Sequence, residues 1–283
     1  MQIDSIAQAY INIITEELHP ELQNVIDTHD NPKTKLLAVT AHIRGMIKAG
    51  RDTGLEDSKP KKGSSRAVFF PKEKKQFTLD GKPAESHTAV KIAFPGKLDK
   101  YHGEDTLLGE DQNRKEADWF VNGHHGVIHH TDQGMKTNHE GVLAPVFDSH
   151  PEHHHLEMGR VEKFNAKDLA NHTKNRDFPK GLNLDQIKNA MLHEHALAHG
   201  GRSYQSSTDE NQHQKLVEHP YVSNMIDMMH NSDMHPGDIS PRNMGIYVHP
   251  HSGHRYPVMT DWGFGNDIAK KYAKARKKMN IGY

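Results

Sequence analysis

Three side chains in the last fifth of the chain have the types and order that phosphate chemistry requires. Asp238 and Asn243 stand five residues apart in DISPRN, and Asp261 follows in the triplet Asp261-Trp262-Gly263. Phosphoryl transfer asks a protein for little covalent chemistry. It needs a carboxylate oriented at the incoming hydroxyl, a metal ion, and groups that neutralise the phosphates. Asp238 could accept or orient the nucleophile's proton. The amide oxygen of Asn243 and the carboxylate of Asp261 are hard ligands of the kind Mg²⁺ takes beside nucleotide phosphates. Asp also caps ordinary turns, so either motif alone has a structural explanation. Their order within one stretch favours metal binding and catalysis.

Positioning these groups falls to elements visible in the hydrophobic periodicity. PVMTD reads as a strand that delivers Asp261 to Gly263, where a tight bend is allowed. Upstream, DQIKNAMLHEHALAH and KLVEHPYVSNMIDMMH carry helical patterns that lead into DISPRN. The first half is different: RAVFF and HTAVKIAF are short and β-rich, separated by KEKKQFTLDGKPAES with its Asp-Gly turn, and predict antiparallel strands. GEDQNRKEADWFV, residues 109–121, predicts a helix with Ala117, Trp119, Phe120 and Val121 at its apolar end. VLAPVFD and LEMGRVEKF predict further strands. Residues 2–18 and 35–49 predict an N-terminal helical hairpin, and RDTGLEDSKPKKGSS loses periodicity in the manner of a linker. The expected division is a hairpin and linker at 1–55, a sheet-rich segment with one helix at 56–163, and a mostly helical segment at 164–283.

Composition limits the function classes. The chain has 283 residues, long enough for a core or for two lobes around a cleft. With 34% hydrophobic and 26% charged residues and no apolar run near the roughly 20 residues that span a bilayer, no membrane segment is expected. A formal charge of −1 gives no electrostatic case for nucleic acid, and KKYAKARKKMN near the C-terminus reads as a solvated tail. The absence of cysteine and of a leader pattern at the start suits the cytoplasm.

In four places, in order, the sequence resembles the protein-kinase-like superfamily. Asp238 and Asn243 look like its catalytic loop, and Asp261-Trp262-Gly263 looks like its Asp-Phe-Gly metal motif. TAVKIA is similar to the strand bearing the phosphate-binding lysine, which implies that role for Lys91. QNRKEADWF is similar to the helix that supplies the lysine's ion-pair partner, implying Glu116, with Glu110 as the alternative. GSSRAVFF stands where a glycine loop covers the phosphates, so Gly63, Ser64, Ser65 and Arg66 are the implied nucleotide contacts, although one glycine replaces the family's three. Pro236 replaces the His or Tyr found two residues before the catalytic Asp. Only 22 residues follow Asp261, little room for the family's peptide-gripping helices.

The resemblance implies an α+β, two-lobed fold with a small antiparallel sheet lobe, a helical and truncated second lobe, and the N-terminal helical extension. It implies an ATP- and Mg²⁺-dependent phosphotransferase acting on a protein or small-molecule acceptor, with protein Ser/Thr phosphorylation the first expectation. Compact members of this kind look like viral or bacterial examples, which for a virus would mean the host cytoplasm. The alternative is a catalytically silent kinase-like module serving as a binding or structural part of an assembly.

The 25 histidines are the main compositional bias. His195 and His199 lie four apart on an expected helix, but HEHALAH is not the HExxH metalloprotease pattern, so solvated or hydrogen-bonded histidines are expected there. His153, His154 and His155 alternate across an extended chain and would not converge on one ion.

Overall fold

A computed structural model describes residues 66–72, 74–93, 108–122, 125–132, 134–149, 155–199, 210–232 and 236–262, together with 41, 49, 61, 62, 153 and 234. Apart from residues 41 and 49, the expected N-terminal hairpin and linker at 1–55 lie outside the described residues. The basic run near the C-terminus does too. The described fold is α+β.

The larger sheet has eight strands among the described residues: β1 (Lys61–Lys62), β2 (Arg66–Phe69), β3 (Lys74–Leu79), β4 (Lys82–Ala93), β5 (Ile128–Thr131), β6 (Gly134–Thr137), β7 (Val146–Ser149) and β8 (His155–Gly159). Its spine is the 12-residue β4, which pairs with β3 over residues 82–87, with β2 over 90–93, and with β8 over 88–92, each time antiparallel. The stretch KEKKQFTL, expected only as a separator, is therefore mostly strand. The Asp-Gly turn forms as predicted: Leu79 pairs with Lys82, leaving Asp80 (φ 52°) and Gly81 (φ 75°) as a two-residue turn with both φ values positive. That conformation matches the twist of a hairpin and suits Asp-Gly. The Asp80 carboxylate also accepts from Thr137 N (3.1 Å) and Thr137 Oγ1 (2.6 Å), tying the turn to β6.

Helix α1 (Leu108–Asn122) packs against β4, β7 and β8. The second half of the chain supplies α2 (Ala166–His172), α3 (Leu184–Ala198), α4 (Glu210–Glu218) and α5 (Pro220–Ser232). A capping box starts α3: the Asn183 side chain accepts from Gln186 N, and Gln186 Oε1 accepts from Asn183 N, both at 2.9 Å. The pattern expected as one helix through KLVEHPYV is broken at His219. Pro220 has no N–H to continue α4, but its fixed φ suits the first position of α5.

A three-stranded antiparallel sheet joins β9 (Glu162–Lys163), β10 (Met244–Val248) and β11 (Arg255–Met259), with β10 in the centre. It links the last residues of the expected 56–163 segment to the segment that follows. The two sheets meet at Leu143. Its backbone bridges Gly126 on one side and Met259 on the other, with Val127 N donating to Leu143 O at 3.0 Å and Met259 N to Val142 O at 2.8 Å. Gly141 allows this approach, because a Cβ there would fall 2.5 Å from Val127 Cα.

The core runs from Leu79, Ile128, Leu143 and Leu156 to a methionine-rich group of Met191, Met225, Met228, Met229, Met234, Met244 and Met259. Flexible thioethers adapt to the gaps between these short helices and strands. Each fully buried side chain of this size contributes about 2 kcal/mol relative to exposure. No helix among the described residues is long and apolar enough to cross a membrane.

Candidate functional site

Helix α1 buries three polar side chains. Among its described side chains, Gly109, Gln112, Asn113, Glu116 and Ala117 are the buried ones, spaced as one helical stripe, yet three of the five carry polar groups. Buried polar side chains need partners. Lys91, pointing from β4, supplies one: its Nζ donates to Glu116 Oε2 at 2.8 Å, with Glu116 fully buried and Lys91 nearly so.

Arg66, at the start of β2, completes the cluster. Its Nη2 stands 2.8 Å from Glu116 Oε1, an ion-pair approach without hydrogen-bond geometry, and donates to Asp261 Oδ1 at 2.5 Å. Its Nη1 donates to Asn113 Oδ1 at 3.2 Å, and Asn113 Nδ2 donates to the carbonyl of His153 at 2.9 Å. Lys91 Nζ also donates to the carbonyl of Thr260, the residue before Asp261, and lies 5.9 Å from the centre of the buried Trp262 ring. Two cations and two carboxylates thus form a charge-balanced group, dry at Arg66, Lys91 and Glu116 and open at Asp261, joining β2, β4, α1 and the end of β11.

Burial opposes the charges of Arg66, Lys91 and Asp261. For Arg66 it is outweighed by Glu116 and Asp261, so the guanidinium is held more firmly protonated than usual. For Lys91, burial comes first and repulsion from Arg66 adds to it; Glu116 and Asp261 offset only part, and the pKa is lowered. For Asp261, burial would raise the pKa, but Arg66 and Lys91 prevail and hold it below the ordinary carboxylate range. The Asp261 side chain is 46% exposed, so it remains ionised and reachable by a solute cation.

The β10–β11 hairpin brings Asn243 opposite Thr260, the residue before Asp261. Met244 pairs with Met259, so the residues just outside the hairpin come together: Thr260 N donates to Asn243 O at 2.8 Å, and Thr260 Oγ1 to the same oxygen at 3.2 Å. Asn243 N in turn donates to Ser240 O at 3.0 Å, closing the loop from Asp238. Asp238 ends a 3-10 turn, Pro236–Asp238, on which α3 packs. Its side chain lies outside the described residues, as do that of Glu110 and residues Gly63, Ser64, Ser65 and Gly263. The strand pairs Lys61↔Val68 and Lys62↔Ala67 make β1 and β2 a hairpin whose connecting residues are 63–65.

Lys91, Glu116, Arg66 and Asp261 are therefore brought together, and Asn243 adjoins them through Thr260. Asn113 and Gln112 were not singled out by the sequence. Their signal is the spacing 109, 112, 113, 116, 117, which places polar groups on the face that includes small Gly109 and Ala117. Elsewhere, His195 and His199 bring their rings to 4.3 Å at the end of α3. No protein-family model and no curated protein sequence matches the chain.

Proposed function

We propose that the chain is an ATP-dependent phosphotransferase of the protein-kinase-like type, with a sheet-rich lobe and a helical lobe flanking the Arg66–Lys91–Glu116–Asp261 cluster. The observation that carries the reading is the buried Lys91–Glu116 pair, strand lysine to helix glutamate, set against Asp261 from a distant part of the chain. A lysine–glutamate pair in this setting fixes the ammonium for phosphate oxygens, and the Asp after a strand serves the metal. The donor set suits Mg²⁺: a half-exposed carboxylate at Asp261 and the amide of the adjoining Asn243 are hard oxygen donors. Bound Mg²⁺ would neutralise phosphate charge. Lys91 holds nucleotide phosphates, Glu116 positions Lys91, Arg66 at the edge of the β1–β2 hairpin adds positive charge, and Asp238 orients the acceptor hydroxyl. A protein Ser/Thr acceptor and a cytoplasmic site are the expectations that accompany this reading.

The test is Mg²⁺-ATP binding by calorimetry together with release or transfer of the terminal phosphate, in the wild type and in Asp261→Asn. The expected result is Mg²⁺-dependent binding and turnover that fall by at least about a hundredfold in the variant, the scale seen when a transition-state charge partner is removed. Unchanged behaviour in Asp261→Asn would sink the assignment.

A second reading is favoured by one contact. The Arg66 guanidinium already occupies the Asp261 carboxylate, so a metal must compete with an internal cation. A catalytically silent, nucleotide-binding module of an assembly fits that arrangement. Nucleotide binding that is indifferent to Mg²⁺ and yields no transfer would select it.

A further inference from the structure

We infer that the chain carries a site for a borderline divalent transition-metal ion, Zn²⁺ being the type case, formed by His193 and Glu194 of α3 and His213 of α4. One ligand atom from each residue lies within 4.8 Å of the other two. Glu194 Oε1 is 3.0 Å from His213 Nε2, and the His193 and His213 rings are 4.3 Å apart at 60°. All three side chains are half-buried between two packed helices, where their rotamers are confined but solvent can still enter.

Zn²⁺ binds imidazole nitrogen and carboxylate oxygen at about 2.0–2.2 Å in tetrahedral geometry. Tetrahedral ligand atoms at that radius are separated by about 3.3 Å, so Glu194 and His213 already stand close to the required spacing and His193 must close by about 1.5 Å at most. A closure of that size is within the reach of side-chain rotation. Two imidazoles and one carboxylate leave the fourth position to water, as in sites with three protein ligands. The ligand set selects against Mg²⁺ and Ca²⁺, which prefer all-oxygen shells, and favours Zn²⁺, Ni²⁺ or Cu²⁺.

The site is independent of the phosphate cluster: its residues lie on helices that contribute nothing to the Lys91–Glu116 pair. His195 does not belong to it. That ring leans instead toward His199, which caps the end of α3. A bound ion would pin the end of α3 to the beginning of α4, and α3 also supports the turn that ends at Asp238.

The many other histidines make simple metal retention uninformative, so the test is comparative and uses untagged full-length chain. Co²⁺ is titrated in the absence of nucleotide while the visible d–d bands are recorded, and Zn²⁺ is then used to displace it. The wild type is expected to give one equivalent with tetrahedral intensity, displaced by stoichiometric Zn²⁺. His213→Gln should weaken this binding at least tenfold while the exposed, remote His251→Gln leaves it unchanged. His193→Gln provides a second arm, and circular dichroism checks that each variant folds. Equal Co²⁺ spectra and affinities for wild type, His213→Gln and His193→Gln would overturn the assignment, as would a wild type with only octahedral, weakly absorbing Co²⁺. Neither outcome bears on Mg²⁺-ATP binding.

Discussion

Replacing Glu116 by Gln isolates the electrostatics of the cluster with almost no change of shape. The wild-type group holds two cations, Arg66 and Lys91, and two carboxylates, of which only Glu116 is fully buried. At 2.8 Å and an effective dielectric near 20, each contact of Glu116 with a cation has a Coulomb energy of about 6 kcal/mol before desolvation is subtracted. Most of that is cancelled by the cost of removing the ions from water, and breaking a buried pair by deleting one partner typically costs about 3–5 kcal/mol. Glu116→Gln leaves a net positive charge among residues with almost no solvent. The expected loss is therefore in the same range, about two to nearly four decades in the folded-to-unfolded ratio. Urea denaturation at neutral pH, followed by fluorescence of the buried Trp262, measures it. The double variant Glu116→Gln/Arg66→Met restores charge balance and should recover at least half of the loss, a coupling that a double-mutant cycle reads directly. A Glu116→Gln chain within about 1 kcal/mol of wild type would refute the reasoning, and so would a double variant whose loss is the sum of the two single losses.

Two further outcomes follow from geometry away from the cluster. His172 is packed against His254 (Nδ1 to Nε2, 3.2 Å), Tyr221 and Tyr256, and burial, then the neighbouring His254 and His219, lowers its pKa from 6.5 to about 4. The unfolded chain takes up this proton first as pH falls. The contribution is therefore intact above about 6.5 and is lost between 6.5 and 4, amounting to about 2 kcal/mol at pH 5. Denaturation midpoints at pH 7 and pH 5 should converge in His172→Gln relative to wild type; an identical pH slope would contradict the assignment. Gly141→Ala drives a methyl into the Val127 backbone and should cost about 1–3 kcal/mol, seen as a lowered thermal midpoint; an unaltered midpoint would show that the junction yields.

What could be read in the sequence follows the strength of local signals. Asp80-Gly81 declared its turn because two successive positive φ values suit Asp-Gly in particular. The strand bearing Lys91 and the helix bearing Glu116 were legible for a similar reason: β-branched and apolar residues flank Lys91, and 110–121 contains neither Gly nor Pro. Strands β5 and β6 escaped notice because IHHTDQGMKT has few apolar residues, and these short strands bury little beyond Ile128. Helix α2 is seven residues long and depends on Asn165 capping Lys167 N, a signal too brief for periodicity to register. Arg66 was read only as a phosphate contact. Its pairing with Asp261 spans 195 residues, and no local pattern encodes a contact of that range.

The Leu143 junction ties the two sheets at one point. Residues 142–144 exchange backbone hydrogen bonds with His125 and Val127 on one side and with Met259 on the other, so neither sheet can slide past that point without breaking several at once. Met259 is two residues from Asp261, about 7 Å of extended chain. A displacement of Leu143 would therefore reach the Asp261 carboxylate through only two residues of chain, and with it the contacts that Arg66 makes with Asp261 and Lys91 with Thr260.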